Sequence, residues 1–135
     1  MPGMTKQTSQ QLIDETFDRN ALPIFVGGTG CPFVTTDTCA VIRALQIGAR
    51  QVWKGSKTDF VYTCDPKKDT CCTPLPRLSY NEALEKRLQV MDATALTLAR
   101  DHDMITRVFN IFAPQALITA STDTKFGSTI TNEKE

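Results

Sequence analysis

No part of this sequence approaches the eighteen or so consecutive apolar residues that a membrane-crossing helix needs. Net charge is missing as well. Fifteen basic and fifteen acidic side chains cancel, and no stretch gathers like charges, so neither nucleic acid nor an anionic membrane gains long-range attraction. Partners are expected to be small or locally recognised. Histidine is reduced to one residue, His102, and no Cys-x-x-Cys pair exists, which removes the common zinc-ligand spacings. Neighbouring Cys71 and Cys72 do not easily aim both thiolates at one ion, so no metal site is expected. The five cysteines are odd in number and residues 1–11 are polar where a secretory signal would be apolar, so a disulfide framework is not expected either. Structural thiols are the default, with surface oxidation at Cys71 and Cys72 as the alternative. A soluble cytoplasmic protein is the simplest expectation.

What remains is an ordinary single-domain composition. With 135 residues and 41% apolar content, the chain can bury roughly 68% of its unfolded surface around one core. Residues 12–17 suit a short helix, and residues 21–26 (ALPIFV) have the length and apolarity of a buried strand, although Pro23 donates no ladder hydrogen bond. Glycines then turn the chain. Asp37 is a suitable N-cap for a helix whose apolar face carries Val41, Ala44 and Leu45 and which Gly48 stops. Strand segments are expected at residues 51–53 and 60–62, and a proline-rich polar loop at residues 65–76. Ser79-Tyr80-Asn81-Glu82 matches the S-x-x-E capping box and opens a helix to about Leu88. A further helix over residues 92–101, a strand over 105–111, a short helix at Pro114 and a last strand over 126–130 complete the pattern. Alternation of this kind predicts an α/β fold with a mainly parallel sheet flanked by helices.

The glycine turn between residues 25 and 44 (FVGGTGCPFVTTDTCAVIRA) is the candidate binding element. It lacks the lysine of a Walker A loop. It also fails as a dinucleotide fingerprint, because Phe33 fills the third glycine position of G-x-G-x-x-G. A strand-to-helix turn with Thr35 and Thr36 at a helix N-terminus remains, and such an end suits a phosphate or a polar ring edge. A capped turn with no ligand fits the same residues.

Gly28-Thr29-Gly30-Cys31-Pro32-Phe33-Val34-Thr35-Thr36-Asp37-Thr38 resembles the G-T-G-N-P-F-F-T-T-D-T segment of bacterial uridylate (UMP) kinases in the amino acid kinase superfamily. Four more segments agree in order and spacing: Lys54-Gly55-Ser56-Lys57-Thr58-Asp59, Val61 through Lys68, Val90-Met91-Asp92-Ala93-Thr94-Ala95 with Leu98-Ala99-Arg100-Asp101, and Val108-Phe109-Asn110. The match spans about residues 21–130. It implies the C-terminal half of an amino acid kinase-like fold, with residues 21–131 as a partial nucleotide-binding domain between tails at 1–20 and 132–135.

By that resemblance the activity is phosphoryl transfer from ATP, with Mg2+, to UMP, giving UDP for pyrimidine nucleotide biosynthesis. Thr29, Gly30, Cys31, Pro32, Phe33, Val34, Thr35 and Thr36 would line the UMP pocket. Ser56, Tyr62 and Asp65 would contact ATP, with Tyr62 beside the adenine. Asp37 would stand near the reacting phosphates and orient cationic groups there, which suits a reaction carried by positioning and charge neutralisation. Asp92 matches the family's V-M-D but receives no role. Cys31 replaces an asparagine and Phe60 a glycine, the latter making any positive backbone angle costly. Family members run to about twice this length, and their first half carries a lysine and glycine-rich segments that hold phosphates. An isolated chain is therefore expected to be a poor kinase. A homo-oligomer or a complementary N-terminal half is the expected protein partner, because a half-domain leaves a strand edge unpaired. A nucleotide-binding module without catalysis, and a decayed gene product, are the alternatives.

Overall fold

The structure is a computed structural model that describes residues 5–65 and 71–132. The expectations for residues 1–4, for the loop at 66–70 and for the tail at 133–135 lie outside the described residues. Helix α1 (Gln10–Asp18) starts at Ser9, whose side chain accepts the Leu12 N–H, and it buries Ile13. Helix α2 (Thr36–Gln46) buries Thr38, Cys39, Val41 and Ala44. Its N-cap is Thr35, which accepts the Thr38 N–H. Asp37 thus sits inside the first turn, not at the cap expected for it.

Strand β1 (Gln51–Ser56) follows, then the short strands β2 (Val61–Tyr62), β3 (Pro74–Leu75) and β4 (Arg77–Ser79). Strands β3 and β4 fall at the end of the segment expected to be a polar loop and just beyond it. Helix α3 (Tyr80–Glu85) begins at Ser79, which accepts the Glu82 N–H as the capping box predicts. Helix α4 (Ala93–Asp101), strand β5 (Ile105–Asn110), helix α5 (Ala116–Thr122) and strand β6 (Ser128–Thr131) complete the order.

The main sheet runs β1-β5-β6-β4. Pairs β1–β5 and β4–β6 are parallel and β5–β6 is antiparallel, so the sheet is mainly parallel, as expected. Strands β2 and β3 form a separate antiparallel ribbon. Side-chain alternation along the strands divides the core between two faces. Val52, Val108, Ile130 and Leu78 pack with Val41, Ala95, Leu96 and Ala99 from α2 and α4. On the opposite face Phe109 packs with Ala116 and Ala120 of α5. Helices therefore flank the sheet on both sides.

The strand expected at residues 21–26 does not form. Both alternating faces of that run are apolar, the pattern of a strand covered on two sides, yet Leu22, Ile24 and Val26 are 83%, 82% and 65% exposed. A strand exists only by exchanging ladder bonds with a neighbour. Among the described residues this run has none, and Pro23 supplies no N–H.

A disulfide, not expected from the cysteine count, is present: Cys64 and Cys72 are bonded, with Cα atoms 5.3 Å apart. The pairing follows from the β2–β3 ribbon, which brings the two positions opposite one another, a proximity that spacing along the chain does not reveal.

Candidate functional site

Strand β1 ends beside the β2–β3 ribbon and the end of α3, and these elements enclose a cavity of about 470 Å³. Lys54, Ser56 and Thr58 come from β1 and its exit, Phe60, Tyr62, Cys64 and Asp65 from the ribbon side, and Lys86 and Arg87 from the end of α3. Ser56 Oγ and Thr58 Oγ1 lie 3.2 Å apart. Three residues expected to contact one ligand, Ser56, Tyr62 and Asp65, therefore share one wall system. Three cations, Lys54, Lys86 and Arg87, surround them. Lys86 also pairs with Glu82 at 2.6 Å.

Lys54 is the link to the helix end. Its Nζ donates to Asp37 Oδ2 at 2.5 Å, with both side chains roughly a quarter exposed at 28% and 26%. An ion pair this open contributes only about 0–1 kcal/mol to stability. Its consequence is positional: a lysine of the cavity wall and a carboxylate in the first turn of α2 are held together.

Asp92 gains a definite position. It caps α4 by accepting the Ala95 N–H at 3.3 Å, accepts the Thr38 hydroxyl at 2.8 Å, and accepts the Thr35 hydroxyl as well. Burial pushes its carboxyl up, but the Thr35 and Thr38 hydroxyls and the backbone N–H groups of Ala95 and Asp92 outweigh this and hold the pKa below the usual carboxylate value. The N-termini of α2 and α4 are thereby tied to one anion. The Thr35 hydroxyl hydrogen is committed to Asp92, which leaves Thr35 an acceptor toward anything else.

The glycine turn has a different character. Gly27, Gly28 and Gly30 all have positive φ, and a Cβ on any of them would meet no atom within 4 Å. Glycine serves backbone conformation there, not close packing. Cys31 donates its N–H to Thr29 Oγ1 at 3.1 Å. Gly30, Cys31, Pro32, Phe33, Val34, Thr35 and Thr36 are exposed and Thr29 is half-buried. Phe33 is wholly exposed and has φ of 65°, a left-handed conformation that is an outlier for a bulky residue. The turn is separate from the polar cavity. Gly27, Gly28 and Thr36 instead border an apolar hollow of about 620 Å³ between residues 22–28, α2 and the start of β1. Phe60, flagged in the sequence as a costly replacement for glycine, is not among the residues with positive φ. Its ring lines the polar cavity without backbone strain.

Sequence reasoning passed over Lys54, Lys86 and Arg87 as site residues. The Lys54 signal was visible in the K-x-x-K-x-D segment; the Lys86-Arg87 pair had none, since it reads as the solvated end of a helix.

An α/β protein with a polar cleft at the carboxyl end of a parallel strand belongs to the class in which ligands sit beyond strand ends. Comparison with known proteins narrows that class: residues 1–110 match the amino acid kinase family, and the chain belongs to that family. It is 44% identical over 118 residues to a uridylate kinase of Ectopseudomonas mendocina, covering 87% of this chain and 48% of the relative. A uridylate kinase of Haemophilus influenzae is 50% identical over 107 residues, covering 79% and 45%. Among solved structures, UMP kinase from Bacillus anthracis superimposes with a TM-score of 0.91 at 30% identity, over 98% of this chain and 55% of that one. UMP kinase from Ureaplasma parvum gives 0.88 at 32% identity, over 97% and 56%. The chain spans about half the length of the relatives it matches.

Proposed function

We propose that this chain is the nucleotide-binding half of a UMP kinase, catalysing ATP-dependent phosphorylation of UMP to UDP in pyrimidine nucleotide synthesis when complemented by the phosphate-holding half, and weakly or not at all alone. The single observation that carries this reading is the Lys54–Asp37 pair, which joins the α2 N-terminus to a cavity containing Ser56, Tyr62 and Asp65. Uridylate kinase relatives support the choice of substrates.

The residues fit ATP chemically. Lys54, Lys86 and Arg87 offer positive charge to phosphates, Ser56 and Thr58 offer hydroxyls, and Tyr62 with Leu88 and Val90 offers flat and apolar surface for a base. In the proposed reaction Asp37 fixes the Lys54 ammonium, and Lys54 meets the negative charge that grows during transfer, a contribution of several kcal/mol when it is prearranged. Bound ATP supplies the phosphoryl group. No cluster of three His, Cys, Asp or Glu side chains suited to a metal occurs among the described residues, and Mg2+ characteristically arrives on nucleotide phosphates with one or two carboxylates. Thr29, Gly30, Cys31, Pro32, Phe33, Val34, Thr35 and Thr36 form the proposed UMP side, open to receive the other half of the fold. The proposed nucleotide-binding unit is residues 21–131, in the cytoplasm; of the flanking segments 1–20 and 132–135, the first carries helix α1 and lies within the family match.

The test is coupled UDP production with magnesium ATP, for the chain alone and with the N-terminal half of a uridylate kinase added. Turnover that appears on complementation and is lost in Asp37→Asn supports the reading; turnover indistinguishable from Asp37→Asn in both mixtures rejects it. A nucleotide-binding module without catalysis is the second reading, favoured by the half-length match. It predicts nucleotide-dependent stabilisation, about 2.7 kcal/mol at a hundred times Kd, without turnover.

A further inference from the structure

The β2–β3 ribbon forms one wall of the polar cavity: its base is anchored by the Ser128 hydroxyl, which accepts the Val61 N–H at 2.8 Å and donates to the Leu75 carbonyl at 2.7 Å, whereas its outer end rests on a few hydrogen bonds and one covalent bond. Its strands share two residue pairs, Val61 with Leu75 and Tyr62 with Pro74, and Pro74 has no N–H to give. Thr63 N–H donates to the Thr73 carbonyl at 3.1 Å, and Thr73 N–H donates to Thr63 Oγ1 at 3.0 Å. Two-stranded ribbons of this size are marginal in water. The Cys64–Cys72 bond closes the ribbon at the next residues outward. Tyr62, Thr63, Cys64 and Asp65 all line the cavity, so whatever fixes the ribbon fixes that wall. Cys64 is itself exposed, as is Cys71 beside the bond, so an outside thiolate has access to a sulfur.

We propose that Cys64–Cys72 is a reversible thiol–disulfide exchange site that sets the cavity wall when oxidised and loosens it when reduced. In the reducing direction a thiolate of a dithiol attacks one sulfur of the bond, forming a mixed disulfide and releasing the other cysteine as a thiolate. The second thiol of the reductant then displaces the remaining cysteine. Two protein thiols and an oxidised cyclic reductant result, with two electrons and two protons passed to the protein. Glutathione disulfide reverses the change by two exchanges, leaving two molecules of glutathione. The wall belongs to a nucleotide site only on the reading proposed above; the exchange site does not depend on it.

The experiment uses the whole chain, oxidised or treated with dithiothreitol, and follows alkylation by mass spectrometry and amide hydrogen exchange at Thr63 and Thr73. Reduction is expected to add two alkylated cysteines, Cys64 and Cys72, and to speed exchange at both amides by about tenfold or more, the scale set by releasing a short closed loop. Cys64→Ser and Cys72→Ser should behave as the reduced form under both conditions, and Cys71→Ser as the wild type. Unchanged amide exchange on reduction, or a bond that fails to re-form with glutathione disulfide, overturns the proposal. Titration with magnesium ATP adds a separate arm. Weaker binding by the reduced form supports the wall assignment, and equal binding by both forms overturns it. No binding by either form, with amide exchange still responding, rejects the nucleotide reading while the exchange site stands.

Discussion

Replacing Asp92 by alanine removes three hydrogen bonds from one carboxylate: the Ala95 cap, the Thr38 hydroxyl and the Thr35 hydroxyl. Loss of an N-cap costs about 1 kcal/mol. Thr38 is only 4% exposed, so its hydroxyl is left buried without this acceptor, a further cost of about 1–3 kcal/mol. A total near 3 kcal/mol is expected. With an unfolding entropy of about 2 cal/mol/K per residue, a chain of 135 residues should lose about 10 °C in Tm. The effect carries a pH signature. Because the folded pKa of Asp92 lies below its unfolded value, the stabilisation is complete above the ordinary carboxylate pKa of about 3.9 and disappears as pH falls through the folded value. The gap between wild type and Asp92→Ala should therefore be full at neutral pH and narrow in acid. Thermal melts over that range, with Thr38→Val and the double variant, measure it. Coupling between the two positions below about 0.5 kcal/mol, with a gap that does not change with pH, would refute the argument.

Gly127→Ala should be severely destabilising, by about 3 kcal/mol or more in urea unfolding, because φ is +87° and the new Cβ would collide with the Val108 carbonyl oxygen. Tyr80→Phe should cost about 1–2 kcal/mol, since the buried hydroxyl bonds the Met104 carbonyl and Thr106. Burial raises the Tyr80 pKa against the opposing Thr106 hydrogen bonds, so its share of stability is complete below about pH 10 and falls as pH rises toward the folded value; the variant should lose that alkaline dependence. Lys54→Met should leave Tm within a few degrees, as expected of a part-exposed pair, while weakening ATP binding at least about tenfold in calorimetric titration.

Local rules made much of this fold legible. Ser79 capped its helix where S-x-x-E predicted, Asp92 began another, and the run at 105–111 became β5 nearly intact. Each of these depends on neighbours within a turn or on a strongly apolar strand. The errors share the opposite property. Residues 21–26 read as a strand because composition reports apolarity and not the presence of a neighbour to pair with. Cys64–Cys72 was missed because the β2–β3 ribbon, not the cysteine count, brings the sulfurs together. The Lys54–Asp37 pair spans 17 positions and exists because α2 packs beside β1. Even Asp37 was misplaced by two residues at the cap, since either side chain could accept a first-turn N–H and the backbone chose Thr35. The convergence of Ser56, Tyr62 and Asp65 on one cavity had its basis in resemblance, not in any periodicity.

The most direct test of the central claim is a residue-resolved titration of the chain with magnesium ATP and, separately, with UMP, followed by amide chemical shifts. The account predicts that ATP moves Lys54, Ser56, Tyr62 and Asp65, and that UMP moves the turn from Thr29 to Thr36. Both groups of resonances remaining still at millimolar nucleotide would contradict it.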